Sequence, residues 1–143
     1  MVALAEWTEL TPVDRVSQFD LRAFNRLRQG DLGVDGSNSG LHLRSDPMTL
    51  LSFDFAQAAS WRTRIVELAP PSSGGRINGV VQWLRVQLDA EASYENAPGP
   101  QFRSHWVPRF HPFDTPVEPP AGSTVPIMAS HDGTVLTIWM TVS

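Results

Sequence analysis

The chain has no cysteine, no lysine, a single tyrosine and no long apolar run. Without cysteine there are no disulfides and no thiolate metal sites, and the redox compartment is left unspecified. No stretch approaches the ~20 apolar residues that a membrane helix needs. All eleven basic residues are arginines, against fifteen acidic ones. A net charge of −4 is not the basic stripe of a protein that grips a nucleic-acid backbone, so neither a nucleic-acid nor a membrane partner is expected. Met1 is followed by Glu6 and Glu9, not by a basic region and an apolar core. No secretory signal is therefore expected, and the expected location is cytoplasmic.

What is abundant is punctuation. Twelve prolines and ten glycines in 143 residues favour many short strands over long helices. A hydrophobic fraction of 41% suits one domain, residues 1–143, large enough to bury roughly two-thirds of its unfolded surface.

Along the chain, residues 1–11 place Val2, Leu4, Trp7 and Leu10 in no clear period and are expected to be a docking segment whose apolar side chains face a partner. Val13 to Phe19 is expected to be a first strand. Asp20 is a good N-cap for one short helix, with Leu21, Phe24 and Leu27 spaced by three, Arg26 and Arg28 in the last turn and Gly30 beyond it. Residues 29–40 form a glycine-rich loop without the alternating acids and terminal Glu of a calcium loop. Leu41 and Leu43 suggest an edge strand, and the alternation of MTLLSFDF (48–55) predicts another.

Trp61 to Leu68 alternates with Arg62 and Arg64, which are expected on a solvated face, as is Arg85. Ile77 to Leu88 is expected to be the longest strand. Phe102 to Phe110 returns as a strand that Pro108 confines to an edge or bulge. Residues 111–122 read as a proline-rich loop. Thr124 to Ser130 and Thr134 to Val142 form a hairpin around Asp132-Gly133. The fold class predicted is all-β: a single antiparallel β-barrel, sandwich-like, with one short helix.

Candidate chemistry is sparse. The four histidines, His42, His105, His111 and His131, lack the close pair of a zinc site, and no metal ligand set is assigned. No Gly-x-Ser-x-Gly elbow is present, and Ser104 adjoins His105, where neighbours on a strand point to opposite faces. No glycine-rich fingerprint follows a strand and opens a helix, so no nucleotide site is assigned. What remains is Ser104-His105-Trp106. On the residues alone this is either a rim aromatic with satisfied polar neighbours or part of a binding site.

Several pieces taken together resemble the C-terminal β-barrel of the protein arginine methyltransferase family. These are Gln18-Phe19-Asp20-Leu21 with Ala23-Phe24-Asn25, then Asn78-Gly79-Val80-Val81-Gln82-Trp83-Leu84-Arg85-Val86, then Ser104-His105-Trp106 where the family carries Thr-His-Trp. The order and spacing agree along nearly the whole chain. The resemblance implies that Ser104, His105 and Trp106 bind substrate. Trp106 would offer its face to a guanidinium, and His105 would position the loop or bond a carboxylate across a domain boundary. The implied partners are an S-adenosylmethionine-binding Rossmann domain, in cis or in trans, an arginine-containing protein substrate and a second copy of the chain. No cofactor and no catalytic residue is expected in this chain alone. Two positions depart from the family pattern: Pro108 replaces a glutamine, and the segment 22–40 is short for a dimerisation arm. The alternative is a free-standing β-barrel interaction module without methyltransferase activity.

Overall fold

The computed structural model describes residues 1–10, 13–23, 30–57 and 62–141. In chain order the strands are β1 (Val2–Trp7), β2 (Arg15–Val16), β3 (Phe19–Asp20), β4 (Leu32–Gly33), β5 (Leu41–Leu43) and β6 (Arg64–Leu68). They continue as β7 (Ile77–Gln82), β8 (Arg85–Gln87), β9 (Ser93–Glu95), β10 (Arg109–Val117), β11 (Ile127–His131) and β12 (Leu136–Met140). The all-β class holds, and every ladder is antiparallel. The single closed barrel does not: among the described residues the strands form a five-stranded sheet, β4-β10-β7-β1-β5, a three-stranded sheet, β12-β11-β6, and two small hairpins.

Residues 1–10 are not a docking segment. Small and branched apolar side chains at alternate positions let β1 sit in the sheet interior, between β7 and β5. Val2 and Leu4 join the core beneath the three-stranded sheet, with Val80, Phe113, Ile127, Ala129 and Ile138. Ala3 and Ala5 join a second core on the other face, with Val81, Trp83, Phe110 and Val34, and Trp7 and Leu10 pack against it. Leu4, expected to face a partner, is fully buried. The lack of a clear period in β1 follows from burial on both faces, since a strand covered on both sides reads as a continuous apolar run.

Other expectations change in register or extent. Val13 to Phe19 is not one strand; the chain reverses at Ser17, which has φ of 57°, so that β2 and β3 pair. The body of the expected helix, 24–29, lies outside the described residues, as do Trp61 and Val142. The alternating segment 48–55 finds no ladder partner. Only Met48 bridges to Val2, while Leu50 and Leu51 pack into the core without strand pairing.

In β6 the phase is reversed. Arg64 shares the inner face with Val66 and Leu68, because β6 pairs Val66 with Ala129 and Leu68 with Ile127. Arg64 sits at the rim of that face, its guanidinium 5.7 Å from the Phe53 ring centre and bonded to the Ser52 carbonyl. Ile65 is the residue that points to solvent.

The strand expected over 77–88 breaks at Trp83-Leu84, and the longest strand among the described residues is β10, nine residues running through the stretch expected to be a proline-rich loop. Its register with β4 covers only Arg109 and Phe110. Beyond them, among the described residues, one edge of β10 carries no strand, so the missing N–H groups of Pro112 and Pro116 interrupt no ladder there. The hairpin of β11 and β12 is as expected, with Leu136, Ile138 and Met140 facing the core and Trp139 opposite.

A braced tryptophan beside the beta8–beta9 hairpin

The structure places Ser104, His105 and Trp106 on the surface loop that enters β10. Three neighbours hold this loop. The first is the glycine-rich segment 30–40. Gly36 has no side chain where the Phe102 ring lies; a Cβ there would come within 2.4 Å of that ring. The Gly36 carbonyl also accepts the Gly99 N–H at 2.8 Å, and Val34 N–H donates to the Pro108 carbonyl at 3.0 Å. The loop read from sequence as mere turn chemistry is therefore a clamp on both ends of the site segment.

The second neighbour is the β8–β9 hairpin. Arg85 stands opposite Glu95 in its ladder, and the two form an ion pair at 2.8 Å. The same carboxylate accepts the Trp83 indole N–H at 2.7 Å. These donors hold the Glu95 carboxyl below the usual range against the opposing effect of burial.

The third support comes from Tyr94 and Asn96. The Tyr94 hydroxyl lies 2.5 Å from Ser104 Oγ, and that oxygen accepts the Trp106 N–H at 2.9 Å. The Tyr94 and Trp106 rings meet edge to face, 5.8 Å apart at 88°, a favoured aromatic geometry. Asn96 Nδ2 donates to the Trp106 carbonyl at 2.6 Å. Trp106 nonetheless remains 61% exposed. Beside it the stretch from Tyr94 to Ser104 curls around an open hollow of ≈ 670 Å³.

The three predicted site residues thus differ in what they do. Ser104 has its hydroxyl engaged within the loop, Trp106 presents a ring to solvent, and His105 is exposed. The sequence reading missed Tyr94 and Asn96. Tyr94 is the chain's one tyrosine, and the i, i+2 spacing of the pair on a strand was the available signal.

The remaining histidines do not converge on this loop. His111 is buried in the interior, 1% exposed, with Nε2 2.9 Å from Gln82 Oε1. Burial lowers its pKa to about 4. His131 packs its ring 4.9 Å from that of Phe53, and His42 lies on the edge strand β5. Among the described residues no three His, Cys, Asp or Glu side chains form a group that could hold a metal, and no helix is long and apolar enough to cross a membrane.

No protein-family model matches the chain, and no curated protein matches it.

Proposed function

We propose that the chain is the substrate-side β-domain of a protein arginine methyltransferase-like protein, in which Ser104, His105 and Trp106 form one wall of a cleft. A Rossmann domain, in cis or in trans, forms the other wall. The observation that carries this reading is Trp106, whose ring is mostly exposed while both its backbone polar groups and one side of the ring are held. An aromatic ring that stays exposed while its backbone and one side are held can meet a partner with little further ordering. An indole face suits a guanidinium through stacking and cation–π attraction. The antiparallel pairing of β7 with β10 adds support, because it sets Asn78-Gly79 and the strand leading to Trp83 beside the segment that follows Trp106. On this reading the two sheets correspond to two sides of the family's barrel.

S-adenosylmethionine belongs to the Rossmann domain in this proposal. The hollow beside Ser104 does not fit it: Glu95, the one acidic residue in its lining, turns its carboxylate to Trp83 and Arg85, so no free acid is offered to ribose hydroxyls. No chemical step is assigned to this chain alone.

Two measurements test the proposal. Calorimetry of the chain with S-adenosylmethionine is expected to show no binding, and a submillimolar affinity would overturn the division of labour. In the chain joined to its Rossmann domain, Trp106→Ala is expected to weaken an arginine-containing peptide about fivefold to thirtyfold, from a cation–π contact of ~1–2 kcal/mol. Unchanged affinity would remove Trp106 from the cleft.

A second reading, a free-standing interaction module, draws on exposed apolar residues outside the Trp106 loop: Ile65 on β6, Val135 in the turn before β12 and Phe19 on the β2–β3 hairpin. Peptide binding by the chain alone, insensitive to Trp106→Ala, would favour it.

A further inference from the structure

Tyr94 and Asn96 are two residues apart at the end of β9 and share one face, while Glu95 between them points the other way, to Trp83 and Arg85. Asn96 is buried and uses both ends of its amide: Nδ2 donates to the Trp106 carbonyl at 2.6 Å, and Oδ1 accepts the Leu84 N–H at 2.7 Å. Its backbone N–H donates back to the Leu84 carbonyl at 3.2 Å. Asn96 therefore ties the exposed loop to the point where β7 gives way to β8. Tyr94 holds the other polar group of Trp106 through Ser104 and lays its ring edge to face against the indole.

We propose that Tyr94 and Asn96 are positioning residues for Trp106: together they fix the direction in which its free face is presented. The functional consequence rests on the reading of Trp106 as a wall for a guanidinium; the fixed direction is a property of the free chain. A lone exposed indole samples several rotamers, and a ligand that stacks on it must then select one of them. Holding the ring in advance removes that ordering cost from binding. The two grips are chemically distinct. Asn96 needs both a donor and an acceptor, which Ala and Asp each fail to supply. Tyr94 acts through its ring and, separately, through its hydroxyl.

The test uses the full chain labelled with 5-fluorotryptophan, with the Trp106 fluorine resonance assigned by Trp106→Phe. Tyr94→Leu and Asn96→Ala are expected to shift and broaden that resonance while the Trp139 resonance, from the other sheet, stays in place. Tyr94→Phe keeps the ring contact and is expected to return the Trp106 resonance most of the way. In the two-domain protein, Asn96→Ala is expected to weaken an arginine-containing peptide about fivefold, as the loss of one hydrogen-bonded brace implies. An unbroadened Trp106 resonance in either variant, or one that moves only together with Trp139, would overturn the proposal. If the resonance shifts as expected but peptide affinity ignores Trp106→Ala, the positioning stands and the guanidinium wall falls.

Discussion

The Asn78 side chain pairs with Trp7 as a neighbouring strand would. Its Oδ1 accepts the Trp7 N–H at 2.8 Å, and its Nδ2 donates to the Trp7 carbonyl at 2.9 Å. The β1–β7 ladder ends at Ala5 and Gly79, and the pairing of β7 with β10 shifts register between Pro112 and Val117. One amide thus completes a ladder that the bend of β7 would leave open. A carboxamide is the one side-chain group that offers donor and acceptor in this arrangement. Asn78→Ala should lower stability by about 2–3 kcal/mol, since two part-buried backbone groups lose their partner. Asn78→Asp should be no better than Asn78→Ala, because it sets a buried carboxylate oxygen against the Trp7 carbonyl where the amide donated. Urea unfolding of the two variants checks the order; equal stability of Asn78→Ala and wild type would show that water replaces the amide.

Next to it, Gly79 is where a side chain does not fit. A Cβ would stand 2.5 Å from both the His111 carbonyl and the Phe110 ring, so the fully buried Phe110 lies across the glycine. A ring can tilt away, but a backbone oxygen within the β7–β10 ladder cannot move without breaking pairs. Gly79→Ala should therefore destabilise by about 1–3 kcal/mol through overpacking. Adding Phe110→Leu should relieve only part of the strain, which a double-mutant cycle in chemical denaturation would measure.

His111 makes stability depend on pH. With Nε2 donating to Gln82 Oε1, the unprotonated Nδ1 is buried without a partner, so a proton added there would create an unpaired interior charge. Burial lowers the pKa from 6.5 to about 4. Between those values the unfolded chain binds more protons than the folded one. The contribution is complete above pH 6.5 and is lost as pH falls towards 4, by up to about 3 kcal/mol. His111→Asn should flatten the stability profile across that window. A slope between pH 4 and 6.5 that survives this substitution would assign the effect to other groups.

Glu95 ties the β8–β9 hairpin to the body of the domain through Trp83 and closes the hairpin itself through Arg85. Glu95→Ala should increase amide exchange in β8 and β9 and leave exchange in β11 and β12 unchanged. Glu95→Gln, which still offers an acceptor to the Trp83 indole, should lie between. Exchange that rises equally in all strands would show that the hairpin does not open on its own.

What could be read from the chain followed the range of the forces involved. Asp132-Gly133 marked its hairpin because the signal is local: the Asp132 carboxylate accepts the Thr134 and Val135 N–H groups at 2.8 Å each, and Gly133 takes φ of 95°. The inward face of β12 was legible because one face is buried and the other is not. β10 was not legible, because its prolines argue against a strand until the partner on each edge is known. The reversed phase of β6 has a similar origin: Arg64 alternates with apolar residues, and only the packing of Val66 and Leu68 shows that its face is the inner one.

Frequent proline and glycine with alternating apolar residues were enough to set the all-β class, and composition singled out Ser104-His105-Trp106. Packing between distant segments settled that residues 2–7 are an interior strand, that the strands divide into separate sheets, and that Trp106 is held from the end of β9. Alternation reports whether a face is buried but not what buries it. The grips of Tyr94 and Asn96 on Trp106 join residues ten or more positions apart, across a loop whose path no local preference dictates.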